Sequence, residues 1–483
     1  MSAASALARW YPAALALVLA AWIVLLPAAL GRLRRRLSKE TAFLLAALVF
    51  AALALRLAAG PAHRVYNDEF EHLDIARHLS ESGTFSTTLA GGLAGYDVLG
   101  RPTWPGGHHA ALAVVFRLFS AGAATAFAWS ALLSSLSALF VFWAALEIFD
   151  DERGALAAAF VWAFLPLLTR YGAAADLTSS SVFWIAAALA ALHSRQDAFA
   201  ACTLAFAVQV RPENALLIGY AVLVRAPAAV YLPALISAAI PAGIALANRA
   251  DALPGYSAAT TAPLGHLARQ TAPNLRWLAG HAEFWLFLAP AAVAAFLKRP
   301  AARLAALSAA FFLLYGCFFR GRFDTGTEDR YALSVLLPLA VAAGGMLSHA
   351  AVPAALLAAG LAWGGPSAPD AEHEAARRFL AQSAKLIPAR AYVAAFNPPF
   401  VREVARRPAA WSYLLLEDLP GFEAARARAG AAPELVLYKD WAWRSRPVDA
   451  ARLERALAAS YDFTPLADNG LDSLVLLAPR PRQ

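Results

Sequence analysis

Nine consecutive residues, Tyr66-Asn67-Asp68-Glu69-Phe70-Glu71-His72-Leu73-Asp74, gather four carboxylates and a histidine directly after the apolar segment 42–60. A carboxylate at a low-dielectric interface has its charged form disfavoured, which raises its pKa and suits it to general-base work. Asp68 and Glu69 are the candidate pair for that role. The same two residues equally suit the first turn of a helix, where acidic side chains meet free amides and the positive end of the dipole. Further along, Arg320, Arg322 and Arg330 share one connection with Asp324, Glu328 and Asp329. Arginine presents two parallel donors that match a phosphate, and Arg330, followed by Tyr331 at the start of an apolar run, is the best placed of the three. Charges of both signs in one loop can also pair with each other. Arg211-Pro212-Glu213 lies between two short apolar runs, where Arg211 and Glu213 must face either a cavity or one another. Asp176, at a helix entry, is a candidate cap or a cavity residue. His72, His108 and His109 are ligand types that zinc accepts, as are Asp68 and Glu69. Their spacing matches no zinc signature, so neither a metal nor another cofactor is expected. The chain has no P-loop, no GxGxxG between a strand and a helix and no GxSxG, which argues against an ATP or soluble nucleotide-sugar site.

These residues need a scaffold, and composition says which. The chain of 483 residues is 60% hydrophobic and 15% charged, against about 25% charged in soluble domains. Long apolar runs make it a polytopic membrane protein. The net charge of +8 is spread among short connections, which fits membrane topology and not nucleic-acid binding. Cys202 and Cys317 both sit in apolar runs and imply no disulfide framework. About twelve spans are expected, at 10–30, 42–60, 125–149, 155–169, 181–193, 198–210, 215–225, 228–247, 282–297, 304–319, 331–347 and 351–364. The segment 108–120 is read as half-buried. The cluster Arg32, Arg34, Arg35, Arg36 and Lys39 belongs in the cytoplasm by the positive-inside rule. Alternation then puts Asp150 to Gly154, His193 to Asp197, Arg225 and Lys298 to Arg303 inside. Asp68, Asp176, Arg211, the loop 248–281 and Arg330 fall outside, as do both termini.

Three domains follow: an additional N-terminal helix and basic loop over 1–41, a catalytic membrane domain over 42–365 with an outer loop at 61–107, and a small α/β domain over 366–483. In the outer loop, Phe70, Leu73, Ala76 and Arg77 recur at helical spacing and read as an interfacial helix lying on the membrane. In the last domain, 372–386 and 451–460 read as helices, and 391–396, 434–438 and 473–477 as strands.

The chain resembles GT-C glycosyltransferases that use a polyprenyl-phosphate sugar, in particular the bacterial protein O-mannosyltransferase, aminoarabinose-transferase and lipopolysaccharide-core-transferase groups. The resemblance covers most of 42–364. It rests on Asp68-Glu69 after a first core helix, Arg101-Pro102-Thr103-Trp104-Pro105, Arg170 to Ser181, Arg211-Pro212-Glu213 and Arg330-Tyr331, in that order. Two departures are visible: the helix 10–30 precedes the usual first helix, and Arg101-Pro102-Thr103 stands where the family commonly has Lys-Pro-Pro. The resemblance implies a mainly α, polytopic GT-C bundle with an extracytoplasmic α/β domain. It further implies transfer of a sugar from a polyprenyl-phosphate donor to an envelope lipid, glycan or protein, at the outer face of the cytoplasmic membrane. Asp68 would be the base with Glu69 beside it. Arg330, Arg101 and Tyr331 would hold the donor phosphate, and His72, His108, Asp176, Arg211 and Glu213 would line the cavity. The competing classes are a transporter or flippase and a polysaccharide polymerase or ligase. Gathering of the polar groups on one face favours transfer over a central transport path.

Overall fold

A computed structural model describes residues 3–60, 63–88, 99–100, 105–247, 263–318, 321–349, 371–432, 434–445 and 447–480. The chain divides into two compact units, Met1–Ala62 with Thr103–Ser367, and His63–Pro102 with Ala368–Gln483.

The first unit is a helical bundle. Among the described residues, Trp10–Arg36, Lys39–Ala58, Ala123–Phe149 and Arg299–Cys317 are each long and apolar enough to cross a membrane. Their burial is one-sided. Thr41, Leu45, Leu48, Ala52 and Arg56 recur every three or four residues on the inner face of Lys39–Ala58. Phe43, Phe50 and Leu57 on the same helix are exposed, as apolar residues facing lipid are. Shorter apolar helices, Thr178–His193 and Asp197–Ala207 among them, fill the interior.

Several expected spans have different ends or are broken. The segment 155–169 divides into Glu152–Ala163 and Pro166–Tyr171, since Pro166 has no amide to continue the first helix. The buried Arg56 guanidinium covers the break, donating to the Ala163 carbonyl at 2.8 Å and to the Ala52 carbonyl at 2.9 Å. The loop expected at 248–281 contains a helix, Pro263–Gly280, whose His266, Arg269, Gln270 and Arg276 dilute its hydropathy. Gly107–Leu118 is a 12-residue helix, about 18 Å long and too short to span. The span 351–364 lies outside the described residues.

Connections assigned to the same side meet in the structure. Arg36 pairs with Glu147 at 2.6 Å and Asp150 at 2.8 Å, and Ser38 donates to Glu152. Lys298 lies over the Phe149 ring and donates to the Gly345 carbonyl. Arg170, Asp176, Arg211 and Arg330, assigned to the opposite side, belong to a separate cluster described below.

The second unit pairs two short strands, β1 Thr87–Thr88 and β2 Leu99–Gly100, and is built on a five-stranded sheet in the order β4-β3-β5-β7-β6, with β3 Tyr392–Ala395, β4 Ala409–Trp411, β5 Leu435–Lys439, β6 Tyr461–Asp468 and β7 Ser473–Pro479. β3 runs parallel to β4 and β5, with Val393 opposite Ala409 and Val436, while β7 is antiparallel to β5 and β6. Every residue of β3 is buried, as a central strand covered on both faces must be. Helices Ala371–Ser383, Pro398–Ala405, Ser412–Arg428 and Pro447–Ala458 complete the unit. Phe422, Leu453 and Leu457 pack with Leu435 and Leu437 in its core.

The segment that holds the helix Tyr66–Ser82 groups with this unit. The helix Tyr66–Ser82 is anchored by tertiary contacts. Phe70 packs on Phe400 with ring centres 5.0 Å apart, and Leu73 and Ala76 are buried. Asp74 accepts from Arg402 at 2.8 Å and from Thr87 at 3.1 Å, and Arg77 pairs with Glu403. A periodic apolar face says only that something covers it; here the Pro398–Ala405 helix does.

Candidate functional site

The structure distributes the candidate residues over the two units. In the sheet-bearing unit, Asp68 and Glu69 occupy the first turn of Tyr66–Ser82, and their environments differ. Glu69 is fully buried. Its Oε1 accepts from the Arg64 and Val65 amides at 2.7 and 2.8 Å, and its Oε2 lies 2.5 Å from His63 Nδ1. Glu69 thus reaches back over the chain entering the helix, the capping alternative raised by the sequence. Burial pushes its carboxyl up, but His63 and the two amides outweigh burial and hold it below the ordinary carboxylate range. Asp68 is partly exposed and takes no part in those three bonds. His72 is buried on the same helix. Among the described residues, no group of three or more His, Cys, Asp or Glu could hold a metal ion.

A carboxylate with a depressed pKa stabilises the fold above its unfolded pKa, and that contribution is lost as pH falls through the folded value. Glu69→Gln is therefore expected to speed amide exchange at Arg64 and Val65 at pH 7 by roughly tenfold, the equivalent of a lost charge-assisted bond. The gap between wild type and variant should close only in acid below the ordinary carboxylate range, as Glu69 itself protonates. Hydrogen-exchange mass spectrometry across pH measures it, and a gap independent of pH would contradict the assignment.

In the helical unit, Asp176, Arg211, Glu213, Arg330 and Tyr331 form one polar constellation. Arg330 is 5% exposed and starts the helix Ala332–Ala343 from a single 3-10 turn, Glu328–Tyr331. Its guanidinium donates to Thr327 Oγ1 at 3.0 Å and lies 3.9 Å from Asp176 and 3.7 Å from Glu328. Arg211 lies 3.6 Å from Glu213, and Arg211 and Arg330 each stand about 5 Å from the centre of the Tyr331 ring. Tyr331 stacks on Tyr315 at 4.8 Å. Among the described residues, Arg211 Nε and Glu213 Oε2 are buried without a hydrogen-bond partner. Orphaned polar atoms on both members of an ion pair mark an unfinished network, to which a polar ligand or water would contribute bonds.

Asp176 also accepts from Thr178 Oγ1 at 2.5 Å at the entry to Thr178–His193. Two residues on, Ser180 Oγ lies 2.8 Å from Nδ1 of the buried His108, and His109 is buried beside it. Two participants, Arg170 and Tyr171, were given no role of their own from the sequence. Arg170 donates to Asp329 at 2.9 Å, and Tyr171 donates to the same carboxylate. Arg322 makes two bonds to Asp324, the mutual pairing expected of a mixed-charge loop. Arg101 and Arg320 lie outside the described residues.

No protein-family model matches the sequence, and no curated protein does. Solved structures match the fold. ArnT from Cupriavidus metallidurans bound to undecaprenyl phosphate superposes with a TM-score of 0.59 at 14% identity, over 91% of this chain and 98% of that one. The apo form of the same protein gives 0.58 at 13% identity, over the same shares. The archaeal oligosaccharyltransferase AglB from Archaeoglobus fulgidus, in complex with an inhibitory peptide and a dolichol-phosphate, gives 0.52 at 11% identity, over 90% of this chain and 74% of that one. The fold is that of the polytopic GT-C membrane glycosyltransferases: a helical bundle joined to a small α/β unit.

Proposed function

We propose that the protein is an integral-membrane glycosyltransferase that moves a sugar from a polyprenyl phosphate to an envelope acceptor on the outer face of the cytoplasmic membrane. The observation that carries this reading is the GT-C fold over nine-tenths of the chain. The buried constellation around Arg330 in an otherwise apolar bundle supports it, because buried charges on membrane helices mark functional sites by default. Two of the structural neighbours were solved with a polyprenyl phosphate, undecaprenyl phosphate in one and dolichol-phosphate in the other.

In this reading an acceptor hydroxyl attacks the anomeric carbon and passes its proton to Asp68. The bond from that carbon to the phosphate oxygen breaks, and the polyprenyl phosphate leaves with the electron pair. Arg330, with Arg101 and Tyr331, meets the developing phosphate charge. Glu69 fixes the turn that carries Asp68, and His72, His108, Asp176, Arg211 and Glu213 orient substrate. The outer-face assignment is supported by the eleven Lys and Arg in the connections read as cytoplasmic. Mass spectrometry of envelope glycans and lipids tests the proposal. Loss of the gene is expected to remove one glycan modification and to accumulate a polyprenyl-phosphate sugar. Unchanged glycans together with an unchanged lipid-linked sugar pool would refute it.

A further inference from the structure

We propose that the N-terminal helix, which precedes the segment carrying the family resemblance, is part of the working enzyme: through the Tyr11 hydroxyl it clamps together the two turns that lead to His108 and Arg211. Tyr11 is a positioning residue in this proposal, which rests on the transferase reading above.

The helix Ala3–Arg36 buries one stripe, with Tyr11, Leu15, Leu19 and Trp22 inside and Trp10, Leu17 and Val24 outside. Packing alone would be served by phenylalanine at the first of these positions. A buried hydroxyl costs free energy unless it is hydrogen-bonded. The Tyr11 hydroxyl accepts from the Gly106 amide at 2.7 Å and gives its own proton to Gln209 Oε1. Gln209 is held in that orientation from its other end, where its amide nitrogen donates to Ser237 Oγ at 2.7 Å and to the Ser237 carbonyl.

The two turns also touch each other. The Gly107 amide donates to the Gln209 carbonyl at 2.6 Å. A Cβ at Gly107 would stand 2.7 Å from that carbonyl oxygen, so only glycine permits the approach. One residue after Gly107 comes His108, bonded to Ser180; two residues after Gln209 comes Arg211, beside Glu213 and Tyr331. One hydroxyl on the N-terminal helix therefore fixes the backbone just upstream of two cavity residues, each on a different element.

The test compares two deletions of one buried hydrogen bond from the same helix. Tyr11→Phe removes the clamp. Trp22→Phe removes the bond from Trp22 Nε1 to Thr203 Oγ1, which anchors the helix without touching either turn. Amide exchange at Gly106 and Gly107 is expected to quicken roughly tenfold in Tyr11→Phe and to stay at wild-type rates in Trp22→Phe. Transfer, measured as kcat/KM for the polyprenyl-phosphate sugar, is expected to fall roughly tenfold in the first variant alone. Gln209→Met removes the acceptor from the other side and should reproduce the loss, and the double variant should lose no more than either single one. Unchanged exchange in Tyr11→Phe would overturn the clamp. Equal losses of transfer in Tyr11→Phe and Trp22→Phe, or additive losses in the double variant, would reduce the helix to general packing. A wild-type chain that transfers no sugar would refute the transferase reading instead, and the exchange comparison would still decide whether Tyr11 holds the two turns.

Discussion

Asp68→Asn is expected to lower turnover by about 10²–10⁴-fold with little change in folding or donor binding, the cost of losing a general base. The structure makes this substitution cleaner than the sequence alone would. Capping at the start of the Tyr66–Ser82 helix belongs to Glu69, which holds the Arg64 and Val65 amides and faces His63. Asparagine at position 68 leaves those three interactions intact, keeps the size of the side chain and cannot take up the proton. A purely structural Asp68 predicts a nearly silent change, since asparagine serves the first turn of a helix about as well as aspartate. Glu69→Gln should behave differently. It loosens the turn and lowers turnover and local protection together, whereas Asp68→Asn separates them. Steady-state turnover and exchange protection, both measured on purified protein in nanodiscs, distinguish the two. Near-normal turnover in Asp68→Asn would remove Asp68 from the chemistry and move the search for a base to Asp176 or Asp329 in the helical unit.

What the sequence made legible follows from range. The apolar spans, the basic cluster at Arg32–Lys39 and strands β3, β5 and β7 are local patterns whose periodicity or composition needs no partner. β4 was missed because it is three residues long, and β6 because it carries Pro465 and a register shift between Pro465 and Ala467 that breaks its alternation. Pairings between distant segments were invisible. Nothing in Phe70, Asp74 or Arg77 announces Phe400, Arg402 and Glu403, so the partners of this amphipathic helix could not be named. The Asp68-Glu69 pair was legible as a pair, but its division into a buried cap and a partly exposed acid depends on His63 and two backbone amides. Arg170 and Tyr171 became members of the candidate site only once Asp329 was seen between them.

Arg330 carries the second large expectation, and its neighbours determine how it must be tested. Arg170, Arg211 and Arg330 stand with Asp176, Glu213, Glu328 and Asp329, three positive side chains among four acidic ones. Burial pushes the Asp329 carboxyl above its ordinary range even with Tyr171 and Arg170 beside it, so this acid carries its charge less readily than a free one. The cluster is a mesh of mutual pairs, and an incoming phosphate must draw the guanidinium away from Asp176 and Glu328. Arg330 stands 3.9 and 3.7 Å from those carboxylates and also donates to Thr327 Oγ1 at 3.0 Å, so a phosphate would compete with all three partners. Arg330→Ala would strip the buried Asp176 and the half-buried Glu328 of a counter-ion, a loss that for a buried pair typically costs about 3–5 kcal/mol and would confuse folding with function. Arg330→Lys keeps the charge and removes the planar fork. It is expected to leave the protein folded and to weaken polyprenyl-phosphate binding roughly 10- to 150-fold, the range for one or more hydrogen bonds to a charged group. Titration of the purified variant with a polyprenyl phosphate, beside a thermal-unfolding control, measures this. Wild-type affinity in a folded Arg330→Lys would show that the phosphate does not rest on this fork, and Arg330 would then be a purely structural counter-ion to Asp176 and Glu328.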